Sequence, residues 1–409
     1  MLRRLVCLSA LLVIACDNPP PPAVDGGPPD ASAGDAGVDA AASPDAYVPF
    51  EIAPHAAPMP VPRQSGPIMA HPQMVVITYA DEPARAEIES DAAWLASSDW
   101  LATTGGEYGV GAATVLANVH LTANAPSVTS NDEIIAMLVA GIADHTFPAE
   151  SDGSYDEVLY MVYFPESTRI HDANGLGDSC QSYGGYHYEA QTQDGHPFSY
   201  AVLPTCRGFS PALTLRESQE VSAAHELFEA ATDPLPLTMP AWEFSESTFS
   251  PSPWLFVGAE IADLCALRVS SDVFVRDAGH VAPRIWSNAA AAANDRDPCQ
   301  PADPAVPYSM VSVSPDTIVS ATAGQTVTYT LTAWTSRPAP DFGLYAAVGG
   351  GTFNPPVSVS RTTVNNGDTA TLTVDVPAGT PSQSYVLVYL EVVHSTSDYD
   401  SIPLVVYVP

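Results

Sequence analysis

Two hydrophobic periodicities divide this chain of 409 residues. Between residues 67 and 303, short apolar runs alternate with stretches of helical spacing. Met74-Val75-Val76-Ile77-Thr78-Tyr79 and Val158-Leu159-Tyr160-Met161-Val162-Tyr163-Phe164 read as strands, the second stopped by Pro165. Tyr200-Ala201-Val202-Leu203 is a shorter one, ended by Pro204. Residues 82–103 have helical spacing, with Ile88, Trp94 and Leu95 among the apolar positions. Ser130 and Glu133 have capping-box spacing ahead of Ile134, Ile135, Met137, Leu138 and Ile142. Strands alternating with helices predict a mixed α/β domain over 67–303.

From residue 304 to 409 the period becomes two. Val327, Tyr329, Leu331 and Ala333 alternate with threonines, and Leu372, Val374 and Val376 repeat the pattern after the turn signal Asn365-Asn366-Gly367-Asp368. Val386, Val388 and Leu390 form a third run, and Val405 and Tyr407 close the chain. Short alternating strands without cysteine fit an Ig-like β-sandwich, read as a spacer or adhesion module.

The start of the chain follows neither pattern. Arg3 and Arg4 precede an apolar run too short to span a bilayer, which reads as an export signal over 1–15. Val13-Ile14-Ala15-Cys16 is similar to a bacterial lipobox, which implies cleavage before Cys16 and lipidation of its thiol, and hence a membrane anchor. Residues 16–66 are rich in Pro, Ala, Gly and Asp; they bury too little apolar surface to offset chain entropy and read as a disordered tether. No later segment has the ~18 apolar residues of a membrane span. The expected location is the cell envelope, outside the cytoplasm.

Charge narrows the function. The chain carries 47 Asp+Glu against 13 Lys+Arg, all of them Arg, for a net charge of −34. Without lysine there is no Schiff-base, P-loop or Ser-Lys chemistry. The scattered arginines form no basic face for nucleic acid. Serine and cysteine nucleophiles fit poorly as well, since no Gly-x-Ser-x-Gly elbow is present. In an oxidising compartment Cys180, Cys206, Cys265 and Cys299 are best used as disulfides; of three pairings, the sequence-local Cys180–Cys206 and Cys265–Cys299 are expected.

The segment that carries chemistry is Ala223-Ala224-His225-Glu226-Leu227-Phe228-Glu229-Ala230-Ala231-Thr232-Asp233-Pro234. On a helix His225 and Glu229 stack on one face, Glu226 lies beside them, and Pro234 ends the element. The layout is that of the zincin motif H-E-x-x-H with Glu in place of the second His. A carboxylate there still reaches zinc at ~2.0–2.2 Å. Glu226 then occupies the position of the general base. Downstream, Glu260 and Asp263 lie three apart on an expected helix beside Cys265; Glu260 supplies a third ligand, and Asp263 a fourth or a carboxylate that supports the others. With one histidine and several carboxylates, Ca²⁺ or Mn²⁺ are alternatives to Zn²⁺.

Cys180…Tyr183-Gly184-Gly185-Tyr186-His187, Tyr200-Ala201-Val202-Leu203-Pro204…Cys206, the His225–Pro234 segment, Glu260-Ile261-Ala262-Asp263-Leu264-Cys265 and Ile285-Trp286-Ser287-Asn288 occur in that order. Together with Trp100…Glu107-Tyr108-Gly109-Val110-Gly111, this order resembles the plant exordium/phosphate-induced family. It is more similar still to a group of secreted bacterial proteins with the same H-E-x-x-E-A-x-T-D-P and E-I-x-D-L-C blocks. The resemblance implies a zincin-like extracellular domain over about 70–300, with His225, Glu226, Glu229, Glu260 and Asp263 at its site and His187 as an additional candidate. The expected function is a lipid-anchored metal-dependent hydrolase, foremost a zinc metallopeptidase acting on peptide or cell-envelope polymer. The alternative is a non-catalytic envelope-binding protein on the same scaffold, its metal structural or absent.

Overall fold

Alternation along the central strands sorts side chains into two layers. The computed structural model describes residues 10–12, 49–58, 60–172, 177–207, 213–244, 260–266, 268–269, 273–395 and 398–409. The α/β part contains β1 (Ala10–Leu12), β2 (Gln73–Thr78), α1 (Arg85–Ser97), α2 (Trp100–Gly105), β3 (Thr114–His120), β4 (Val128–Ser130), α3 (Asn131–Ala143), β5 (Val158–Phe164), β6 (Arg169–Asp172), β7 (Gly177–Asp178), β8 (Tyr183–Gln191), β9 (Pro197–Pro204), α4 (Leu215–Thr232), β10 (Arg268–Val269), β11 (Phe274–Asp277), β12 (His280–Pro283), β13 (Ile285–Trp286) and β14 (Cys299–Gln300). Six strands make one sheet in the order β1-β8-β9-β5-β2-β3. The pairs from β9 to β3 are parallel and β8 runs antiparallel to β9.

Met74, Val76, Leu159, Met161 and Tyr163 face one core with α1 and α4, whereas Val75, Ile77, Tyr160 and Val162 face another with Ile134, Leu138 and Ile142 of α3. Helices therefore cover both faces, and β5 is buried along its whole length. α3 begins at the expected capping box on Ser130. The helix expected over 82–103 is instead two: Ser98 adopts extended backbone after α1, and α2 restarts at Trp100. The break falls at Ser97-Ser98-Asp99, residues of weaker helix propensity than the alanines and leucines on either side.

The C-terminal part is β-rich. It comprises β15 (Ser309–Ser314), β16 (Val319–Ser320), β17 (Thr326–Thr335), β18 (Phe342–Gly351), β19 (Val357–Val359), β20 (Thr363–Val364), β21 (Thr369–Asp375), β22 (Ser384–Ser395) and β23 (Asp398–Val408). One sheet runs β15-β17-β21-β19 and the other is built on β23-β22-β18-β20. Tyr329, Leu331, Leu372 and Val374 of the first share a core with Leu344, Val388, Leu390 and Leu404 of the second.

The two parts are joined by more than a chain crossing. The strand β10 (Arg268–Val269) adds to the edge of β23, with Arg268 opposite Asp400 and Val269 opposite Tyr399. Arg268 is held between Asp297, at 2.6 Å, and Asp400, at 2.5 Å. Within 49–66, a stretch expected to belong to the tether, Ala53 and Ile52 meet Tyr308 and Trp334, His55 stacks on Trp334, and Val61 enters the α/β core. The apolar side chains of this stretch find partners that composition alone did not reveal. The export signal, apart from 10–12, the lipidation site Cys16 and the tether up to residue 48 lie outside the described residues.

Both expected disulfides form, Cys180–Cys206 and Cys265–Cys299. Such bonds belong to proteins that mature outside the cytosol. No helix among the described residues is long and apolar enough to cross a membrane.

Candidate metal centre

α4 is the structural centre of the site. Thr214 caps it in a reciprocal box with Glu217, and every residue from Ser218 to Thr232 is buried. The helix packs against β8, β9 and β12 (His280–Pro283), so its alanines give close contact while its polar face turns into the protein. Pro234 forbids a further turn, and Asp233 takes the C-cap position.

Three separate elements meet that polar face. α4 supplies His225, Glu226 and Glu229. β8 supplies His187 by alternation: Tyr186 and Tyr188 join the core on the α3 side, which directs His187 and Gly185 toward α4. The third element carries Glu260 and Asp263. It is not the expected helix, because Glu260 forms an isolated antiparallel bridge with Glu243 and only Ala262–Cys265 make a single 3-10 turn. The Cys265–Cys299 bond ties that turn to the body of the domain.

The geometry is tight. His225 Nε2 is 2.9 Å from Glu229 Oε1 and 3.5 Å from Asp263 Oδ1. His187 Nδ1 is 3.5 Å from Glu229 Oε2 and 3.7 Å from Glu226 Oε2, and its Nε2 is 3.5 Å from Glu260 Oε1. The same Nε2 lies 3.1 Å from the carbonyl oxygen of Asp233, to which it donates, and this leaves Nδ1 facing the carboxylates. All six side chains are at most 2% exposed. Nevertheless His187 Nδ1, His225 Nε2, and both oxygens of Glu226, Glu229 and Glu260 make no hydrogen bond of proper geometry. Orphaned buried polar atoms are costly, and their convergence on one spot fits a bound cation. Two groups have their ligand atoms within 4.8 Å of one another: His225, Glu229 and Asp263, and His187, Glu229 and Glu260.

The electrostatics agree. Burial pushes both imidazoles toward the neutral form, but the carboxylates outweigh it: Glu226 and Glu229 lift His187 to about 10. His225 is likewise held well above its usual value, chiefly by Glu229. Burial would also raise Glu229, yet the two histidines hold it down at about 2. Burial followed by repulsion from Glu229 raises Asp263 to about 7, and burial raises Glu226 to about 7. Glu260 is driven well above its usual value by burial and by its acidic neighbours. Without a cation the cluster can remain buried only by retaining protons.

All of the residues singled out in the sequence thus come together: His225, Glu226, Glu229, Glu260, Asp263 and the additional candidate His187. Sequence reasoning assigned no part to Asp233 and Glu243. Asp233 is fully buried, accepts from Ala241 N–H at 2.9 Å and leaves Oδ2 unpaired. Glu243 bridges to Glu260 and is pushed to about 8 by burial and then by Asp233. Asp233 was visible as the residue before Pro234; Glu243 had no local signal, since only the chain crossing brings it near.

A third acidic group, Asp91, Glu220 and His280, is of another kind. Arg216 pairs with Asp91 there and lies 3.8 Å from Glu220, while His280 Nδ1 is 2.7 Å from Asp91. A guanidinium already supplies the positive charge that a metal would bring.

No family model matches the chain, and no curated protein matches it either. Among solved structures it is similar to domains 4 and 5 of the S-layer protein SbsC, at 18% identity and a TM-score of 0.19, over 25% of this chain and 54% of that one. The chain therefore spans about half the length of that structure. It is similar to WR4, an MSP family member of C. elegans, at 13% identity and a TM-score of 0.18, over 25% of this chain and 100% of that one. It is similar also to a nucleoside hydrolase-related hypothetical protein from Saccharophagus degradans, at 12% identity and a TM-score of 0.25, over 69% and 71% of the two chains. At such scores none of these likenesses carries an argument.

Proposed function

We propose that this protein is a metal-dependent hydrolase of the cell envelope, specifically a zinc peptidase with a zincin-like domain and a lipid anchor at Cys16. The observation that carries the reading is the convergence of two unpaired imidazole nitrogens with unpaired carboxylate oxygens in one buried spot. Imidazole ligands favour zinc over calcium, which takes oxygen. Zinc, when bound, supplies Lewis acidity and makes a neighbouring water easier to deprotonate. His225, Glu229 and Asp263, or His187, Glu229 and Glu260, would hold it. Glu226 would take the proton from the attacking water: its carboxyl is fully buried beside the ligands, 3.7 Å from His187 Nδ1. The two disulfides fit an oxidising location, and the resemblance to secreted exordium-like proteins agrees with it.

The test is metal analysis of the full chain beside His225→Ala, followed by a peptide-library screen of the parent and Glu226→Gln. Zinc in the parent that is lost from His225→Ala, with turnover abolished and zinc retained in Glu226→Gln, supports the reading. A metal-free parent overturns it, and full turnover by Glu226→Gln removes Glu226 as the base.

One observation favours a second reading. His187, His225, Glu226, Glu229, Glu260 and Asp263 are all at most 2% exposed, as in a closed structural site. On that reading the chain is an envelope-binding protein whose metal stabilises the fold. Zinc content with no turnover, and a melting temperature that falls when zinc is stripped, would single it out.

A further inference from the structure

The residues of the centre do not form one ligand set. They fall into two groups, His225-Glu229-Asp263 and His187-Glu229-Glu260, that share only Glu229. The shared carboxylate divides its oxygens between them: Oε1 faces His225 Nε2 at 2.9 Å and Oε2 faces His187 Nδ1 at 3.5 Å. One imidazole thus stands on each side of a single carboxylate, which is the arrangement of a bridging ligand. Both imidazoles are at least 98% buried and present an unpaired nitrogen to the cluster.

Charge points the same way. Six carboxyl groups, those of Glu226, Glu229, Asp233, Glu243, Glu260 and Asp263, are buried around the two histidines. No arginine is paired with any of these carboxylates in the ion pairs among the described residues. One divalent cation neutralises at most two of these carboxyl groups, and the other four must then keep protons or meet a second cation. Two cations neutralise four, which leaves only the outlying Asp233 and Glu243 to keep protons.

We propose that the centre binds two divalent cations bridged by Glu229, one held with His225 and Asp263 and the other with His187 and Glu260. The proposal rests on the metal-dependent reading above and extends it: a pair of ions is suited to substrates whose attacking and leaving oxygens must both be stabilised during hydrolysis.

The experiment uses the full chain, stripped with a chelator, reloaded with excess zinc, desalted and analysed for zinc per chain. The parent should retain two ions, His187→Gln and Asp263→Asn one each, and Glu229→Ala fewer than one, with circular dichroism melts confirming folding. As a control independent of how the variants fold, the parent is also loaded with manganese and its electron paramagnetic resonance spectrum recorded. An exchange-coupled signal supports the pair. One ion per chain with an uncoupled signal overturns the pair and leaves the single-metal reading standing. No bound ion overturns both.

Discussion

Gly185 of β8 lies directly against Glu226 of α4: a methyl group built on the glycine would stand 2.8 Å from Glu226 Oε1 and 3.2 Å from Cγ. The missing side chain is the space that the carboxylate occupies. Gly185→Ala must therefore displace the proposed base while leaving the ligands on their own elements. Misplacing a catalytic group by an ångström costs roughly 10²-fold in rate. We expect turnover to fall by about that factor with zinc content unchanged, measured by peptide hydrolysis beside metal analysis; an unaffected rate would count against the role of Glu226.

The Cys265–Cys299 bond closes a loop of sequence separation 34 and fixes the turn that carries Asp263. Cys265→Ser with Cys299→Ser should cost about 2–5 kcal/mol, read as a lower melting temperature in calorimetry. The same variant should bind zinc more weakly in titration. The variant lacking Cys180–Cys206 should lose stability without that added loss of affinity, since no ligand sits on its loop ends.

Arg268 joins the two parts of the molecule through Asp297 and Asp400, with its own side chain only 11% exposed. Truncation leaves both carboxylates buried with less compensation, although Arg284 still reaches Asp297 at 2.6 Å. Breaking a buried pair in this way costs about 3–5 kcal/mol. Arg268→Met should lower the midpoint of denaturant unfolding and separate the transitions of the two parts, as followed by tryptophan fluorescence.

Glu391 gives the β-rich part a pH dependence of its own. Burial, and then Asp400, raise its carboxyl from 4.5 to about 7, against the opposing hydrogen bond from Ser401. A folded-state value above the unfolded one means that the stabilising contribution is complete below about 4.5 and is lost as pH rises through about 7. The loss amounts to roughly 3 kcal/mol at most, at 1.36 kcal/mol per unit. Glu391→Gln should remove that fall, so that urea unfolding at pH 8 shows the variant more stable than the parent and the two converge near pH 4.

What the sequence determined is what local chemistry determines. Continuous apolar runs over Met74–Thr78 and Val158–Phe164 and period two over Val327–Ala333 required buried and half-buried strands, and Ser130 with Glu133 required a helix start. The i, i+4 spacing of His225 and Glu229 placed both on one face whatever the fold, because helical geometry alone does so. The disulfide partners were legible from their proximity in the chain. The tertiary structure decided the rest. The region of Glu260 and Asp263 is a bridge and a single 3-10 turn, because pairing with the distant Glu243 outweighs local helical spacing. His187 was an additional candidate by resemblance alone, and the pleat of β8 turns it away from Tyr186 and Tyr188 onto α4. Glu243 entered the centre by a chain crossing that leaves no trace in neighbouring residues. A metal centre built from three separate segments depends on contacts between residues far apart in the chain, and spacing along one segment fixes only that segment's own ligands.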